Sequence, residues 1–331
     1  MPDSMSPVAL TLEDTYAPIR AELQDVRRAF EQELVSDVAW VNELCAELAG
    51  YRGKMVRPAL VLLTGQACGS LRPAHLTLAA VVEMVHLATL VHDDVLDETD
   101  VRRALPTARA AHGNEAAVLL GDYLISHAFH LCSSLDSATA CRLIGATTNT
   151  VCEGELLQVH RRGHLALTED EYMDVIRRKT ASLIALCCEL GARYANADAG
   201  TVAALTHFGM ELGTAFQIVD DLLDVVGSSE ELGKPAGNDV QLGKPTLATI
   251  HCLSVAEPSI RDPLCAVLSG RRQCTNGELR RWTSETGSIA YAETRARDCI
   301  QTAMNNLDTL APTPAKASLQ ALGDFVLQRR Y

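Results

Sequence analysis

Two short clusters of aspartates are the residues in this sequence that are best suited to chemistry. The pattern Asp-Asp-x-x-Asp occurs at 93–97, after a long apolar run, and again at 220–224. On a helix the first and last aspartate of each cluster share a face, where their carboxylates repel each other, most strongly near an apolar core. A hard divalent cation relieves that repulsion, and Mg²⁺ prefers carboxylates, waters and phosphate oxygens as ligands. One cluster alone is equally well a solvated helix end, but two copies favour a metal site.

Basic residues gather at three places in the sequence, and each place could receive a phosphate group. They are Lys54 and Arg57 around the start of a helix marked by Pro58, Arg102 and Arg103 after the first aspartate cluster, and Lys179 in a later helix. Free N–H groups at a helix start favour anions. Taken singly, each basic residue is more often an exposed side chain than a binding site. A lone histidine on an apolar helix, such as His86, is usually packed in the core. His86 nevertheless lies on nearly the same helix face as Asp93 and Asp97.

The elements that must position these residues are predicted to be helices. Apolar residues recur at three- and four-residue spacing in block after block, and alternating runs are hard to find. Long helices are expected at about 74–98, 169–195 and 199–226, so the fold class is an all-α helical bundle. The polar segment 227–245 has no composition shift on either side, so residues 1–331 are expected to form a single domain.

Residues typical of helix ends support the helical interpretation. Thr168–Glu171 and Thr275–Glu278 both have the pattern of a capping box, in which a threonine and a glutamate satisfy the first backbone N–H groups of a helix. Gly50, Gly69 and Gly191 stand where C-terminal caps would end their helices. Long helices with short joints are therefore expected.

Composition and charge exclude several classes of protein. Hydrophobic residues make up 47% of the chain, which excludes a disordered protein. A formal net charge of −13 argues against sequence-independent binding to nucleic acid. The 11 scattered cysteines have no CxxC pair, which is typical of reduced thiols in a cytoplasmic protein. The N-terminus shows no signal peptide, and the most apolar stretch, 76–91, is interrupted and too short for a membrane span.

From about residue 50 to 250 the chain resembles the trans-isoprenyl diphosphate synthases, all-helical enzymes that condense an allylic diphosphate with isopentenyl diphosphate. The matching blocks follow the family's order: GKMVRP, HLATLVHDDVLDETDVRR, GNEAAVLLGDYL, EGELLQ, RRKTASL, FQIVDDLLDVVG and GKPAGNDVQLGKPTL. Any single block is a weak signal, whereas so many in order are specific. One departure is Met55, preceded by Arg52-Gly53, where many members carry a second basic residue after two glycines.

The resemblance implies a role for each matching residue. Magnesium would be held by Asp93 and Asp97 from one wall and by Asp220 from the other, with Asp94, Asp221 and Asp224 in support. The isopentenyl diphosphate pocket would comprise Lys54, Arg57, His86 and Arg103. The allylic diphosphate would be gripped by Arg102, Lys179, Lys234 and Lys244, with Thr180 and Gln217 near the reacting carbons. The expected catalytic residues are Asp93, Asp97, Lys179 and Asp220, and family members pair as homodimers.

The resemblance also leads to an expectation for product length. A growing chain would run from the metal site along the wall formed by Thr89, Ala88, Val85, Met84 and Val81. Family members with short products usually have a large aromatic residue about one turn before the first aspartate, where this chain has small side chains. A product of roughly six or more isoprene units is therefore predicted. Geranylgeranyl diphosphate is the alternative, because Met84 is bulky and Phe129 could floor the channel.

Two other functions compete with this interpretation. A terpene cyclase also ionises a diphosphate beside an aspartate cluster, but cyclases usually carry an Asn/Ser/Glu triad in place of the second cluster and bind no second diphosphate. A non-catalytic regulatory subunit of the same fold typically loses acidic residues, and this chain keeps all six aspartates of the two clusters. A plain helical bundle explains neither the paired clusters nor the ordered basic residues.

Overall fold

The computed structural model describes residues 11–51, 53–135, 138–227 and 237–329, apart from the side chains of 49 and 50. The described chain is almost entirely helical, which confirms the predicted all-α class. The helices are α1 Leu12–Thr15, α2 Arg20–Glu33, α3 Ala39–Tyr51, α4 Val56–Ala67, α5 Pro73–Leu96, α6 Ala108–Ser133, α7 Ala138–His160, α8 Glu169–Ile176, α9 Ser182–Tyr194, α10 Ala199–Val226, α11 Asn238–Gln241, α12 Leu247–Val255, α13 Pro258–Leu268, α14 Asn276–Glu285, α15 Ser288–Asn306 and α16 Pro314–Gln328. Short 3₁₀ turns at Ala17–Ile19 and Leu307–Thr309 complete the helical elements.

Helix α5 lies at the centre of the bundle and carries the first aspartate cluster at its C-terminal end. It packs against α2, α4, α6 and α9, while α10 packs against α9, α15 and α16. Apolar residues surround α5 on several faces, as expected for a helix that neighbours cover on most sides. The aspartate clusters therefore lie at the ends of two helices that each pack against several neighbours.

The apolar character of α5 exceeds what the sequence analysis allowed. Among the described helices, α5 is the one that is long and apolar enough to cross a membrane, judged by length and composition alone. However, 67% of its most apolar window is buried inside the molecule, where packing against four other helices accounts for the composition. The absence of a membrane span stays a prediction.

The helix expected at 169–195 is continuous but changes its winding in the middle. Between α8 and α9, residues Arg177–Ala181 form a π-helical turn, a feature that is rare and often found at functional sites. Lys179 and Thr180 both lie in this turn. Helix α7 approaches it closely at Gly154, where a Cβ atom would lie 2.5 Å from the backbone nitrogen of Lys179. A glycine is therefore needed for α7 to contact this turn.

A two-stranded hairpin interrupts the helices directly after the first aspartate cluster. Strands β1 Val101–Arg102 and β2 Leu105–Pro106 pair antiparallel, and the two residues between them, Arg103 and Ala104, have φ angles of 52° and 62°. Two consecutive positive φ angles are typical of the tight turns that match strand twist. Each strand has two residues, too few for a periodic pattern, so the sequence does not predict this hairpin.

The predicted helix ends are partly confirmed. Both capping boxes form, with Thr168 and Thr275 as N-caps. Helix α4 ends just before Gly69, and α3 ends at Tyr51, one residue beyond Gly50. The prediction for Gly191 was wrong, because this residue lies inside α9. Its role is packing: a Cβ atom there would lie 2.0 Å from the Thr64 hydroxyl, so α4 and α9 touch at this glycine.

Candidate active site

The first aspartate cluster closes α5, and its three carboxylates have different environments. Asp94 is buried, with 1% of its side chain exposed, and accepts hydrogen bonds from Arg102 Nε at 3.1 Å and Nη2 at 2.8 Å. Asp93 and Asp97 keep 23% and 20% of their side chains exposed. Asp94 therefore fixes the side chain of Arg102, which lies in strand β1. Asp93 and Asp97 lie on the accessible side of the helix end.

Basic side chains approach both accessible carboxylates of this cluster. Lys244 Nζ donates a hydrogen bond to Asp97 at 2.6 Å, and Arg162 donates to the same carboxylate at 3.0 Å. Lys179 Nζ lies 3.6 Å from Asp93. Burial raises the pKa of Asp93 to about 6; Lys179 opposes this effect, and the nearby carboxylate of Asp97 adds to it. The contact with Lys179 therefore does not fully offset the effect of burial on the Asp93 carboxylate.

Helix α7 fixes the position of Lys179. Gln158 Oε1 accepts a hydrogen bond from Lys179 Nζ at 2.9 Å, and Glu155 forms an ion pair with the same nitrogen. Burial by itself would lower the pKa of Lys179, but the carboxylates of Asp93 and Glu155 outweigh it and raise the pKa. Lys179 therefore stays protonated and points its charge at the first aspartate cluster.

The second aspartate cluster closes α10 and is held by three different contacts. Asp220, with 38% of its side chain exposed, accepts a hydrogen bond from Arg329 at 3.1 Å. The Tyr172 hydroxyl donates to Asp221 at 2.7 Å. Asp224 is buried and accepts from the backbone N–H of Asp239 at 3.1 Å. Asp220 is therefore more accessible than the buried Asp224.

Burial raises the pKa of Asp221 to about 7, and the nearby carboxylate of Asp239 adds to the effect. Hydrogen bonds from Tyr172 and Gln217 act in the opposite direction. Several carboxylates thus crowd around the end of α10, as they do at the end of α5. An added positive charge would stabilise both places.

Side chains from one helical turn contact both clusters. Thr180, the neighbour of Lys179, donates to Gln217 Oε1 at 2.7 Å, and Gln217 Nε2 donates to Asp221 at 2.7 Å. Lys179 contacts Asp93 on α5, whereas Thr180 contacts α10 through Gln217. The π-helical turn between α8 and α9 therefore links both aspartate clusters into one site.

A second group of predicted residues forms a separate cluster of positive charge, made of Lys54, Arg57, His86 and Arg103. Burial lowers the pKa of His86 well below its usual value, and the cations of Arg57, Arg102 and Arg103 lower it further. Burial also lowers the pKa of Lys54, again with help from neighbouring arginines. Cations that lower one another's pKa values would be stabilised by a bound anion, and Glu83 supplies a partial counter-charge because it raises the pKa of Arg57.

The backbone around this basic cluster is shaped to bring the cations together. Met55, at the start of α4, has a φ of 52° and a buried side chain. Arg103 donates to the carbonyl of Tyr51 at 2.8 Å and lies against Gly53, where a Cβ atom would be 2.3 Å from its guanidinium. Arg57 Nε is buried and has no hydrogen-bond partner within the described residues. The departure at Met55 thus places an apolar side chain in the core.

The C-terminal helix completes this side of the site, which the sequence analysis did not predict. The guanidinium of Arg329 lies 4.3 Å from the centroid of the Phe216 ring while it contacts Asp220. Lys54 Nζ lies 4.9 Å from the centroid of the Phe325 ring. Helix α16 therefore joins the basic cluster to the second aspartate cluster.

The accessible carboxylates fit a hard divalent cation such as Mg²⁺. Asp93, Asp97 and Asp220 are more accessible than Asp94 and Asp224. Carboxylate oxygens are the donors that Mg²⁺ prefers. A lysine or arginine lies against each accessible aspartate, as expected where carboxylates need positive charge.

Sequence reasoning missed several residues of the site and one predicted residue cannot be placed. The missed residues are Glu155, Gln158, Arg162, Tyr172 and Arg329. Glu155 and Gln158 belong to the block EGELLQ, which matches the family, but the sequence assigned no function to either residue. The others were isolated in sequence and needed the fold to bring them to the aspartates. Lys234 lies outside the described residues.

Known proteins that are similar to this chain identify its family. The family described as polyprenyl synthetase matches residues 38–285. The chain is 35% identical over 309 residues to octaprenyl diphosphate synthase of Escherichia coli strain K12, covering 93% of this chain and 96% of that protein. It is 33% identical over 323 residues to a short chain isoprenyl diphosphate synthase of Methanothermobacter thermautotrophicus, covering 94% and 99% of the two chains.

Solved structures extend the likeness to the whole fold. A decaprenyl diphosphate synthase from Rhodobacter capsulatus superposes with a TM-score of 0.91 at 33% identity, over 96% of this chain and 99% of that one. A polyprenyl synthase from Caulobacter crescentus, solved with calcium and isoprenyl diphosphate, gives a TM-score of 0.93 at 31% identity, over 98% and 100% of the two chains. With the motifs, the site and the fold in agreement, this chain belongs to the polyprenyl synthetase family.

Proposed function

We propose that this protein is a Mg²⁺-dependent prenyltransferase that condenses an allylic diphosphate with isopentenyl diphosphate. The observation that carries the proposal is the pairing of two accessible aspartate clusters with a separate basic cluster. The aspartates and Lys179 suit a diphosphate bridged by metal, whereas Lys54, Arg57 and Arg103 suit a diphosphate bound directly. Two different anion sites in one chain match a reaction between two substrates that each carry a diphosphate.

The first step breaks the allylic carbon–oxygen bond and leaves charge on the departing diphosphate. Asp93, Asp97 and Asp220 would hold Mg²⁺, which supplies Lewis-acid neutralisation of that charge when bound. Lys179 and Arg102 are held by Gln158 and Asp94 in fixed directions. They therefore stabilise the developing charge without having to reorganise during the reaction.

The second substrate must be oriented before water reaches the allylic cation. Lys54, Arg57 and Arg103 bind its diphosphate, and His86, kept neutral by its low pKa, can donate a hydrogen bond without adding charge. Fixing both reactants in one site supplies much of the rate increase. Loss of a proton from the condensed cation then completes the step. The hydroxyl of Thr180 and the amide of Gln217 are engaged with each other, so the released diphosphate is the proposed base.

We propose a product of roughly six or more isoprene units. Ala88 is fully buried in the last turns of α5, and Thr89 is half-buried beside it. Phe129, with 36% exposure on α6, lies toward the surface, which speaks against this ring as a channel floor. The relatives include both an octaprenyl and a short chain synthase, so geranylgeranyl diphosphate remains the alternative.

We further propose a cytoplasmic homodimer. Helix α6 presents three exposed apolar side chains, Val118 at 40%, Leu119 at 66% and Phe129 at 36%. Val118 and Phe129 are separated by about three helical turns, so they share a face. An exposed apolar stripe of this kind is typical of a surface that another chain covers. The eleven cysteines are all free thiols, which supports a reducing compartment.

The test is incubation of the purified chain with Mg²⁺, isopentenyl diphosphate and each allylic primer in turn, followed by chromatography of the products. Linear polyprenyl diphosphates are expected, and their formation should stop when a chelator removes the metal. Cyclic products from an allylic diphosphate alone would indicate a terpene cyclase. Product formation that appears only when a second prenyl synthase chain is added would indicate a regulatory subunit.

A further inference from the structure

We propose that Glu33, His127 and His130 form a site for a transition-metal ion of the Zn²⁺ type, separate from the aspartate clusters. Glu33 is the last residue of α2, and the two histidines lie one helical turn apart on α6. Their ligand atoms all lie within 4.8 Å of one another. The site therefore spans two helices that are far apart in sequence and brings two imidazoles to one carboxylate.

The distances within the cluster are close to those that a metal requires. Glu33 Oε1 lies 3.3 Å from His127 Nδ1 and 2.7 Å from His130 Nδ1. Bonds of about 2.0–2.1 Å in a tetrahedral site separate neighbouring ligand atoms by about 3.3 Å. One of the two distances already has this value, and the other must open by about 0.6 Å, which rotation of the exposed His130 side chain allows. Binding therefore needs only a small side-chain movement.

The ligand chemistry selects the metal. Imidazole nitrogens suit Zn²⁺ and its neighbours in the first transition row, whereas Mg²⁺ prefers oxygen ligands alone. Two histidines and one carboxylate leave a fourth position for water. The two aspartate clusters offer carboxylate oxygens, the donors that Mg²⁺ prefers. The two sites should therefore take different metals.

The surroundings hold the ligands but leave a path for the ion. Glu33 and His127 keep 16% and 23% of their side chains exposed, whereas His130 is 78% exposed. The Tyr123 ring packs against His127 with 4.3 Å between ring centroids, which restrains the orientation of that imidazole. Two half-buried ligands and one exposed ligand make a partly built site with an open side. A bound ion would tie the end of α2 to α6.

The test measures Zn²⁺ binding to the full-length protein by equilibrium dialysis, with reductant present and excess Mg²⁺ to occupy the aspartate clusters. Because free cysteines also take Zn²⁺, the result is a comparison between variants. His127→Gln and His130→Gln should each lose one bound Zn²⁺ relative to the wild type. His112→Gln is the matched control, since His112 also lies on α6 and contacts a glutamate, Glu47, at 2.9 Å but has no second histidine in that contact.

A second measurement keeps the proposal falsifiable if one variant folds poorly. An ion that binds only the folded chain raises its melting temperature by mass action. Zn²⁺ should raise the melting temperature of the wild type and His112→Gln more than that of His130→Gln, whose exposed side chain is tolerant of change. Equal Zn²⁺ binding and equal melting shifts in all variants would overturn the proposed site. Neither readout depends on prenyltransferase activity, so the result is independent of the proposed function.

Discussion

At the scale of single residues, the carboxylates of the active site are stabilised in the described chain by side-chain cations. Asp97 has two partners, Lys244 and Arg162, whereas Asp93 has the more distant Lys179. The same basic residues are suited to phosphate oxygens when substrate and metal arrive. In the proposed reaction these lysines and arginines would exchange the carboxylates for phosphate oxygens.

Removing an accessible aspartate should abolish activity but preserve the fold. We expect Asp93→Ala, Asp97→Ala and Asp220→Ala each to lower turnover at limiting Mg²⁺ by about a hundredfold or more, because each removes a metal ligand. The fold should be retained in all three variants, but Asp97→Ala should lower the melting temperature because the buried Lys244 loses its ion-pair partner. Asp100→Ala is the matched control, because Asp100 is 73% exposed and pairs with Arg109 on the surface. Normal turnover in the Asp93 variant would refute the metal assignment.

The raised pKa values predict how the stability of the metal-free protein depends on pH. Asp221 has a pKa of about 7 when folded, against about 3.9 in an unfolded chain. The folded state therefore holds a proton that the unfolded state releases, and the free energy of unfolding should fall as pH rises from about 4 to 7. Denaturant titrations at pH 5 and pH 7 measure this slope.

Asp221→Asn should flatten that pH dependence, because the amide cannot ionise. The difference between wild type and variant isolates Asp221 from the other carboxylates of the chain. An identical slope in both proteins would show that Asp221 ionises normally in the folded state.

At the scale of elements, small residues decide how closely the helices approach. Gly191 and Gly154 lie at helix contacts. A Cβ atom at these positions would be 2.0 Å and 2.5 Å, respectively, from an atom of the neighbouring helical segment. The second contact places α7 against the π-helical turn that carries Lys179. Helix packing and active-site geometry are therefore set by the same close contacts.

Gly191→Ala should destabilise the protein by about 1–3 kcal/mol, because the added methyl group must push α9 away from α4. Chemical denaturation measures the change in the free energy of unfolding. Gly277→Ala is the matched control, since Gly277 lies near the start of α14 and a Cβ atom there would have 3.9 Å to its nearest neighbour. That variant should be neutral or slightly more stable. Equal effects of both variants would contradict the close contact between α4 and α9.

The last turns of α5 should control product length. Ala88→Phe is expected to shorten the product sharply, because a phenyl ring cannot share a filled channel with the growing alkyl chain. Product chromatography measures the distribution, and a melting curve checks that the substitution is tolerated in the folded chain. Phe129→Ala is the control, since its exposed ring should not touch the product. An unchanged distribution in the Ala88 variant would show that the channel does not pass this wall.

At the scale of the whole molecule, the apolar stripe on α6 predicts self-association. Sedimentation should show a dimer at micromolar concentration, and Leu119→Glu should shift it to a monomer, because a charge would be buried in the contact. Val255→Glu serves as the control, since Val255 is 52% exposed at the end of α12, away from α6 in the chain. A wild-type monomer with full activity would refute the proposed homodimer.

The sequence by itself determined the helical class, the long helices and the aspartate and basic residues of the site. These features follow from local rules. The spacing of apolar residues predicts helices, and a repeated acidic pattern at helix ends indicates a cation site. The hairpin after Asp97 and the role of Gly191 were beyond those rules. Two-residue strands have no periodicity, and a glycine inside a helix has the same local signal as one at its end.

Only the tertiary structure decided which residues meet across the site. Arg162, Tyr172 and Arg329 contact aspartates that are distant in sequence, and no local pattern specifies such pairs. The division of each cluster into accessible and buried carboxylates likewise depends on neighbouring helices. The physical reason is that burial and electrostatic environment arise from the whole packed chain, whereas residue type and helical spacing are properties of short segments.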